Sequence, residues 1–293
     1  MREVKIGLHN HFRTSSWVKE RDLEKAAKIA RERLGPGAVI GLVNFSDFRY
    51  EQTIERSPLK NKVDLGNAVY LPDYDVLVIK GQEIPTNQGH LLAMGVRHGW
   101  AITEHEDAET TLRRIKGLGI LAIADHPFYH EGLGQFISDD IKARAPLFDG
   151  FEVYNGEAEF GFSRGPLPKD ANRKASDFYF NEIYKKYPVF ALSSSDGHSF
   201  GEIGNNPTTI KMPDNYRESF TREGRSITDT LKKGLLSEEV LFESQSLGGY
   251  LGGAKHVLEL AAIIGNEKIA KSISNVPSPF RYLDRKFHGT SNR

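Results

Sequence analysis

Not one cysteine occurs in the 293 residues of this chain. Disulfide staples, thiolate-bound zinc and a cysteine nucleophile are all excluded at once. Any metal would have to rest on His, Asp and Glu, a donor set that suits Zn, Mn or Fe. An excess of charge is missing too: 39 basic residues balance 39 acidic ones, for a formal net charge of 0. No global basic field draws this chain to nucleic acid, so that partner is disfavoured, although a local groove can be basic in a neutral chain. There is no run of about 18 apolar residues, and the N-terminus opens on a strand-like stretch instead of an apolar leader. The expectation is a cytoplasmic protein with no membrane partner. Repeats and low-complexity blocks are absent, and oligomeric state has no readable signature.

What is present is an ordinary globular balance, 39% hydrophobic and 27% charged, sufficient to bury a sizeable core. Val4 to Leu8 reads as a short buried strand that stops at His9-Asn10-His11. Residues i and i+2 of an extended segment point the same way, so both imidazoles can reach one point. A helix over 18–34 is stopped by Gly35-Pro36-Gly37, and 38–44 is a second buried strand. Residues 47–75 read as a polar, irregular excursion. Val76 to Ile79 begins a strand that runs into Gly81-Gln82-Glu83-Ile84, with His90 to Gly95 as its hairpin partner.

Further on, helices over 106–116, 139–147 and 170–187 alternate with strands over 120–124, 150–155 and 189–193. In the helix over 170–187 the run Phe178-Tyr179-Phe180, with Tyr184 and Tyr187, has the spacing of core packing. Ser226 caps a helix to Lys233, and 254–264 is a C-terminal helix followed by a loose tail. Alternating strands and helices argue for parallel βα units, and a barrel is preferred because it gathers strand ends on one rim. His9, His11, Glu83, His126, Asp196 and His198 all follow strands or sit near their ends. A buried Glu83 is costly unless paired or ligated. Glu152 either orients a ligand histidine or is a solvated strand-end carboxylate.

His9-Asn10-His11, Gly81-Gln82-Glu83, His90-Leu91-Leu92-Ala93-Met94-Gly95, Asp125-His126-Pro127 and Ser195-Asp196-Gly197-His198 together resemble the successive motifs of the PHP (polymerase and histidinol phosphatase) family. The resemblance spans roughly residues 1 to 200. It implies a distorted (β/α)7 barrel over 1–245, with 246–293 as a helix and tail packed on it. It implies, too, a multinuclear metal centre that hydrolyses phosphoesters. The family pattern puts His9, His11, Glu83 and Asp196 on one ion, with Glu83 bridging to a second held by His90 and His126, and His198 on a third.

Two departures bear on that third ion. Ser16 stands where the family usually has Asp, and Val43-Asn44-Phe45 where it has Thr-Asp-His. A centre of two divalent ions is therefore expected, with a third only if Asp47 substitutes. The expected chemistry is attack by a metal-bridging hydroxide on a small phosphorylated metabolite or short nucleotide. His198 is the candidate acid for the leaving alkoxide, and Arg13 the first candidate for phosphate; Arg164, Arg173 and Lys174 come next, although a solvated face is the better reading for these three. Two alternatives stand beside this: a phosphodiesterase- or exonuclease-like PHP protein, and a degenerate metal-binding module without turnover.

Overall fold

The computed structural model describes residues 1–11, 22–44, 59–160, 170–221, 226–237 and 241–242. Strand β1 (Arg2–Gly7) is followed by helix α1 (Asp22–Leu34), which buries Leu23, Ala26, Ala27, Ala30 and Leu34 along one stripe. Next come β2 (Ala38–Asn44), the small strands β3 (Val63–Asp64) and β4 (Ala68–Leu71), and the long β5 (Val76–Pro85). Strand β1 pairs in parallel with β2, and β2 with β5. Strand β6 (His90–Met94) returns antiparallel to β5, and β7 (Leu121–Ala124) is antiparallel to β6. Parallel pairing resumes through β8 (Gly150–Asn155) and β9 (Phe190–Ser194).

An antiparallel strand that the sequence had not signalled, β10 (Thr208–Met212), lies beside β1 and brings the sheet round. The order β10-β1-β2-β5-β6-β7-β8-β9 makes a nearly closed α/β barrel, the expected architecture with an added strand. Side chains complete the seam: Thr208 Oγ1 accepts from Ser193 N at 2.8 Å and donates to Ser193 O at 3.1 Å. Beyond the seam, β11 (Leu241–Phe242) pairs with β10.

Period-two alternation divides each strand between two cores. Leu77 and Ile79 of β5, Leu92 and Met94 of β6, Leu121 and Ile123 of β7, and Phe190 and Leu192 of β9 share one buried cluster with Val4, Ile6 and Leu8. Tyr216 and Phe220 of α7 (Tyr216–Thr221) and Leu231 of α8 (Ile227–Leu235) belong to the same cluster. Ser226 caps α8, accepting from Asp229 N. The opposite faces pack outward against helices. One outer cluster joins β6 to β9 with α2 (Ala108–Gly117), whose N-cap Asp107 accepts from Thr110 N. Another joins α1 to β2, β4 and β5.

Several local expectations are corrected. The part of 47–75 that is described carries the β3–β4 hairpin, with β4 laid antiparallel on β5. The helix over 139–147 resolves into α3 (Gly134–Asp139), α4 (Ile141–Arg144) and a 3-10 turn over Ala145–Leu147, where Pro146 interrupts the helix. A five-residue α5 (Gly156–Phe160) follows β8 directly. Helix α6 (Ala171–Phe178) gives way to a π turn over Tyr179–Ile183, closed by Tyr184 N to Tyr179 O. That change of period keeps Tyr179 and Ile183 buried but leaves Phe180 and Tyr184 exposed, so the aromatic run is only partly core. Residues 246–293 lie outside the described residues, with the helix and tail expected there. Among the described residues no helix is long and apolar enough to cross a membrane.

Candidate metal centre

The site is built on one rim of the barrel by continuing the inward register of each strand. On β5 the inward series 77, 79, 81 ends at Glu83, which is buried. Strand β6 runs the other way, so its first residue, His90, meets the last turns of its neighbours. On β7 the series Leu121, Ile123 continues to Asp125, and on β9 Ser194 leads to Asp196. After β1 the chain adopts the bridge Asn10 to Gly197, and His11 N donates to Gly197 O at 2.6 Å. Asn10 Nδ2 donates back to Gly7 O at 2.7 Å, so the middle residue of the His-Asn-His motif is an anchor while its neighbours face the rim. Gly41 permits this close approach: a Cβ there would lie 1.7 Å from Leu8 O.

His9 Nε2 and His11 Nε2 are 3.1 Å apart. Asp196 Oδ1 lies 3.2 Å from the first and 3.4 Å from the second. Glu83 divides its carboxylate: Oε2 is 3.2 Å from His11 Nε2, whereas Oε1 is 2.5 Å from His90 Nδ1 and 3.5 Å from His126 Nε2. Two donor groups, His9/His11/Asp196 and Glu83/His90/Asp125/His126, each hold their ligand atoms within 4.8 Å of one another. Two further groups meet the same distance: His9/Asp125/Glu152, and Glu157/Asp196/His198, in which Glu157 Oε2 is 2.8 Å from His198 Nε2. His126 (φ 24°) and Asp196 (φ 47°) sit in the left-handed region, at a strain of about 1–3 kcal/mol each, as do Asp75, His105, Glu131 and Lys185 elsewhere in the fold.

Beneath the clusters lies Glu152, which is fully buried. Its Oε1 accepts from Ser194 Oγ at 2.6 Å and lies 3.1 Å from His9 Nδ1. Its Oε2 accepts from His126 N and from Asn155 Nδ2, both at 3.0 Å. Asn155 Nδ2 also reaches Asp196 Oδ2 at 3.1 Å. Of the two readings of Glu152, the buried partner of a histidine is the one the geometry favours.

Electrostatics favour positive charge here. Burial disfavours a charged His9, yet Asp125, Asp196 and Glu152 together raise its pKa well above the usual imidazole value. Burial likewise opposes protonation of His126, but Asp125 and Glu83 push its pKa up to about 10. Burial would raise the Glu83 carboxyl, but His11, His126 and His90 hold it well below the usual range. Asp196 is held low in the same way by His9, His11 and His198. Asp125 goes the other way, up to about 7, because burial dominates. A pocket that stabilises protonated imidazoles so strongly fits divalent cations. Both oxygens of Asp125 are buried without a hydrogen-bond partner, which suits a carboxylate offered to a cation.

His9, His11, Glu83, His90, His126, Asp196 and His198 are thus brought together. Arg173 and Lys174 are not: they are largely exposed on α6 and pair with Asp170, and Arg173 also with Asp177. Arg13 and Arg164 lie outside the described residues, as do Ser16, Phe45 and Asp47. Sequence reasoning assigned no role to Asp125 or Glu157. The inward alternation of β7 was a usable signal for Asp125; for Glu157, the second residue of a short helix, there was none.

No family model matches this sequence, and no curated protein matches it. Solved structures do match the fold. The crystal structure of PsfC from Pseudomonas syringae PB-5123 aligns with a TM-score of 0.60 at 12% identity, covering 89% of this chain and 99% of that one. The lesion-specific endonuclease PfuEndoQ from Pyrococcus furiosus aligns with a TM-score of 0.52 at 14% identity, over 85% of this chain and 61% of that one. Both likenesses are consistent with a PHP-like fold and extend to the fold alone.

Proposed function

We propose that this chain is a metal-dependent phosphoester hydrolase acting on a small phosphorylated metabolite or short nucleotide. The observation that carries the reading is the divided Glu83 carboxylate, with one oxygen toward His11 and the other toward His90 and His126. In it His9, His11, Asp196 and Glu83 would hold one divalent ion, Zn, Mn or Fe, and Glu83, His90 and His126 would hold a second. Bound divalent ions would activate water near neutral pH and offset charge on the phosphoryl oxygens.

The protein's own groups do the rest. Glu152, by accepting from His9 Nδ1, fixes the tautomer that turns Nε2 to the rim. Asn155 ties Glu152 to Asp196 and so holds the floor under the site. His198, its ring centroid 4.7 Å from that of His11, is the group at the rim assigned to hold the proton for the leaving alkoxide. Glu157 beside its Nε2 sets the ring. Arg13, two residues beyond His11, is the proposed phosphate clamp.

One of the fold neighbours is an endonuclease by name, so diesters belong in the test. The decisive experiment offers p-nitrophenyl phosphate, its bis ester, sugar phosphates, nucleotides and short oligonucleotides with added Mn or Zn. Hydrolysis that vanishes with chelator and in Glu83→Gln supports the proposal, and preference for monoesters supports the small substrate. A folded, metal-loaded protein that cleaves no phosphoester would leave a binding module instead.

A further inference from the structure

Asp125 is completely buried, yet neither of its carboxylate oxygens has a hydrogen-bond partner. A carboxylate so placed is costly unless a cation compensates it, and the rings that approach it are those of His9 and His126. The obvious neighbour is His9, whose Nδ1 is 3.2 Å from Asp125 Oδ1. That nitrogen carries a single proton, and Glu152 stands at 3.1 Å in hydrogen-bonding geometry to take it. Asp125 Oδ1 is outside such geometry. Its other oxygen, Oδ2, lies 3.6 Å from His126 Nε2, the ring nitrogen that faces Glu83. Strand β7 delivers it there: Leu121 and Ile123 point into the barrel, and residue 125 continues their side.

We propose that Asp125 is a direct ligand of the second ion, completing with Glu83, His90 and His126 a site of two carboxylates and two imidazoles. The proposal rests on the two-ion reading above and deepens it. Two consequences follow from the chemistry of that donor set. A second carboxylate cancels one more unit of metal charge and shifts preference toward ions that favour oxygen, manganese and iron over zinc. It also gives the second site four protein donors.

The test compares the full-length wild type with Asp125→Asn and Asp125→Ser. Bound metal is counted by elemental analysis and Mn2+ affinity is measured by electron paramagnetic resonance. Melting is followed with and without Mn2+. The proposal expects two equivalents in the wild type and one tight equivalent in both variants, with Mn2+ affinity at the second site lower by about 100-fold or more. The stabilisation by added Mn2+ should shrink in both variants. Two tight equivalents in both variants would overturn the proposal while sparing the hydrolase reading. So would a lower metal-free melting temperature with an unchanged Mn2+ gain, which marks a purely structural carboxylate. A wild type that binds no metal would remove both.

Discussion

Glu157 Oε2 lies 2.8 Å from Nε2 of His198, joining the helix after β8 to the turn after β9 across 41 positions of sequence. The expected third-ion site, stripped of its usual ligands at Ser16 and Phe45, therefore does not leave His198 alone. If His198 holds the leaving-group proton, Glu157 acts only through it. His198→Asn should lower kcat about 100-fold, and Glu157→Gln should lower it less, with KM nearly unchanged. The double variant should be no worse than His198→Asn, since residues acting as a unit are not additive. Steady-state kinetics with metal analysis of each variant decides it. A metal equivalent lost in Glu157→Gln would instead assign Glu157 to a third ion.

The four donors converging on Glu152 make its charge hard to replace. In Glu152→Gln one oxygen becomes an NH2 that must face either Ser194 and His9 or His126 N and Asn155, all of which donate. Loss of stability should be about 1–3 kcal/mol from the unsatisfied pair, and metal affinity should fall about 10–100-fold through the misdirected His9. Chelator competition and denaturant melts measure the two separately. Unchanged metal affinity would mean that His9 does not depend on Glu152 for its orientation.

How far the site could be read from the sequence follows from period and distance. The pattern on β5 was legible because Leu77, Ile79, Gly81 and Glu83 share one face, and a carboxylate ending an apolar series has few reasons to be there. His90 was legible only with the motif register, because a lone histidine after a turn carries little information. Asp125 was hidden by its neighbour: beside His126 and Pro127 it looks like turn chemistry, although β7 alternation points it inward. Strand β10 escaped because five residues with Lys211 among them make a weak strand signal. For Arg173 and Lys174 the solvated-face reading is the one that fits, since they pair with Asp170 and Asp177 one helical turn away.

Gly41 should prove more sensitive than its place in an ordinary buried strand suggests. A methyl group there meets Leu8 O and the Met94 side chain, and the carbonyl belongs to the backbone that carries His9. Gly41→Ala should cost about 3 kcal/mol, the upper end for overpacking, since backbone must move, and should weaken metal binding because His9 and His11 move with Leu8. Urea melts and metal titration test this together. Wild-type stability in Gly41→Ala would mean that the approach of β1 to β2 is looser than 1.7 Å implies.

Lys80 gives the fold a pH dependence unrelated to the metal centre. It points away from the barrel interior on β5, almost wholly buried, and its Nζ donates to Arg97 O at 2.8 Å and Trp100 O at 3.1 Å. Burial pushes its pKa down to about 7. In the unfolded chain it titrates near 10.4, so between the two values the unfolded state binds more protons. Stability must then rise with pH from about 7 to 10 through this residue, by at most about 1.4 kcal/mol per pH unit, with no contribution to the slope below 7. Lys80→Met keeps the apolar stem and removes the titration, so its stability should rise less steeply from pH 7 to 9 than that of the wild type, although it forfeits the two carbonyl bonds. Urea unfolding at pH 6, 7, 8 and 9 supplies the comparison. Parallel curves for the two proteins would mean that the two carbonyls hold Lys80 charged in the folded state, and that burial has not displaced its proton.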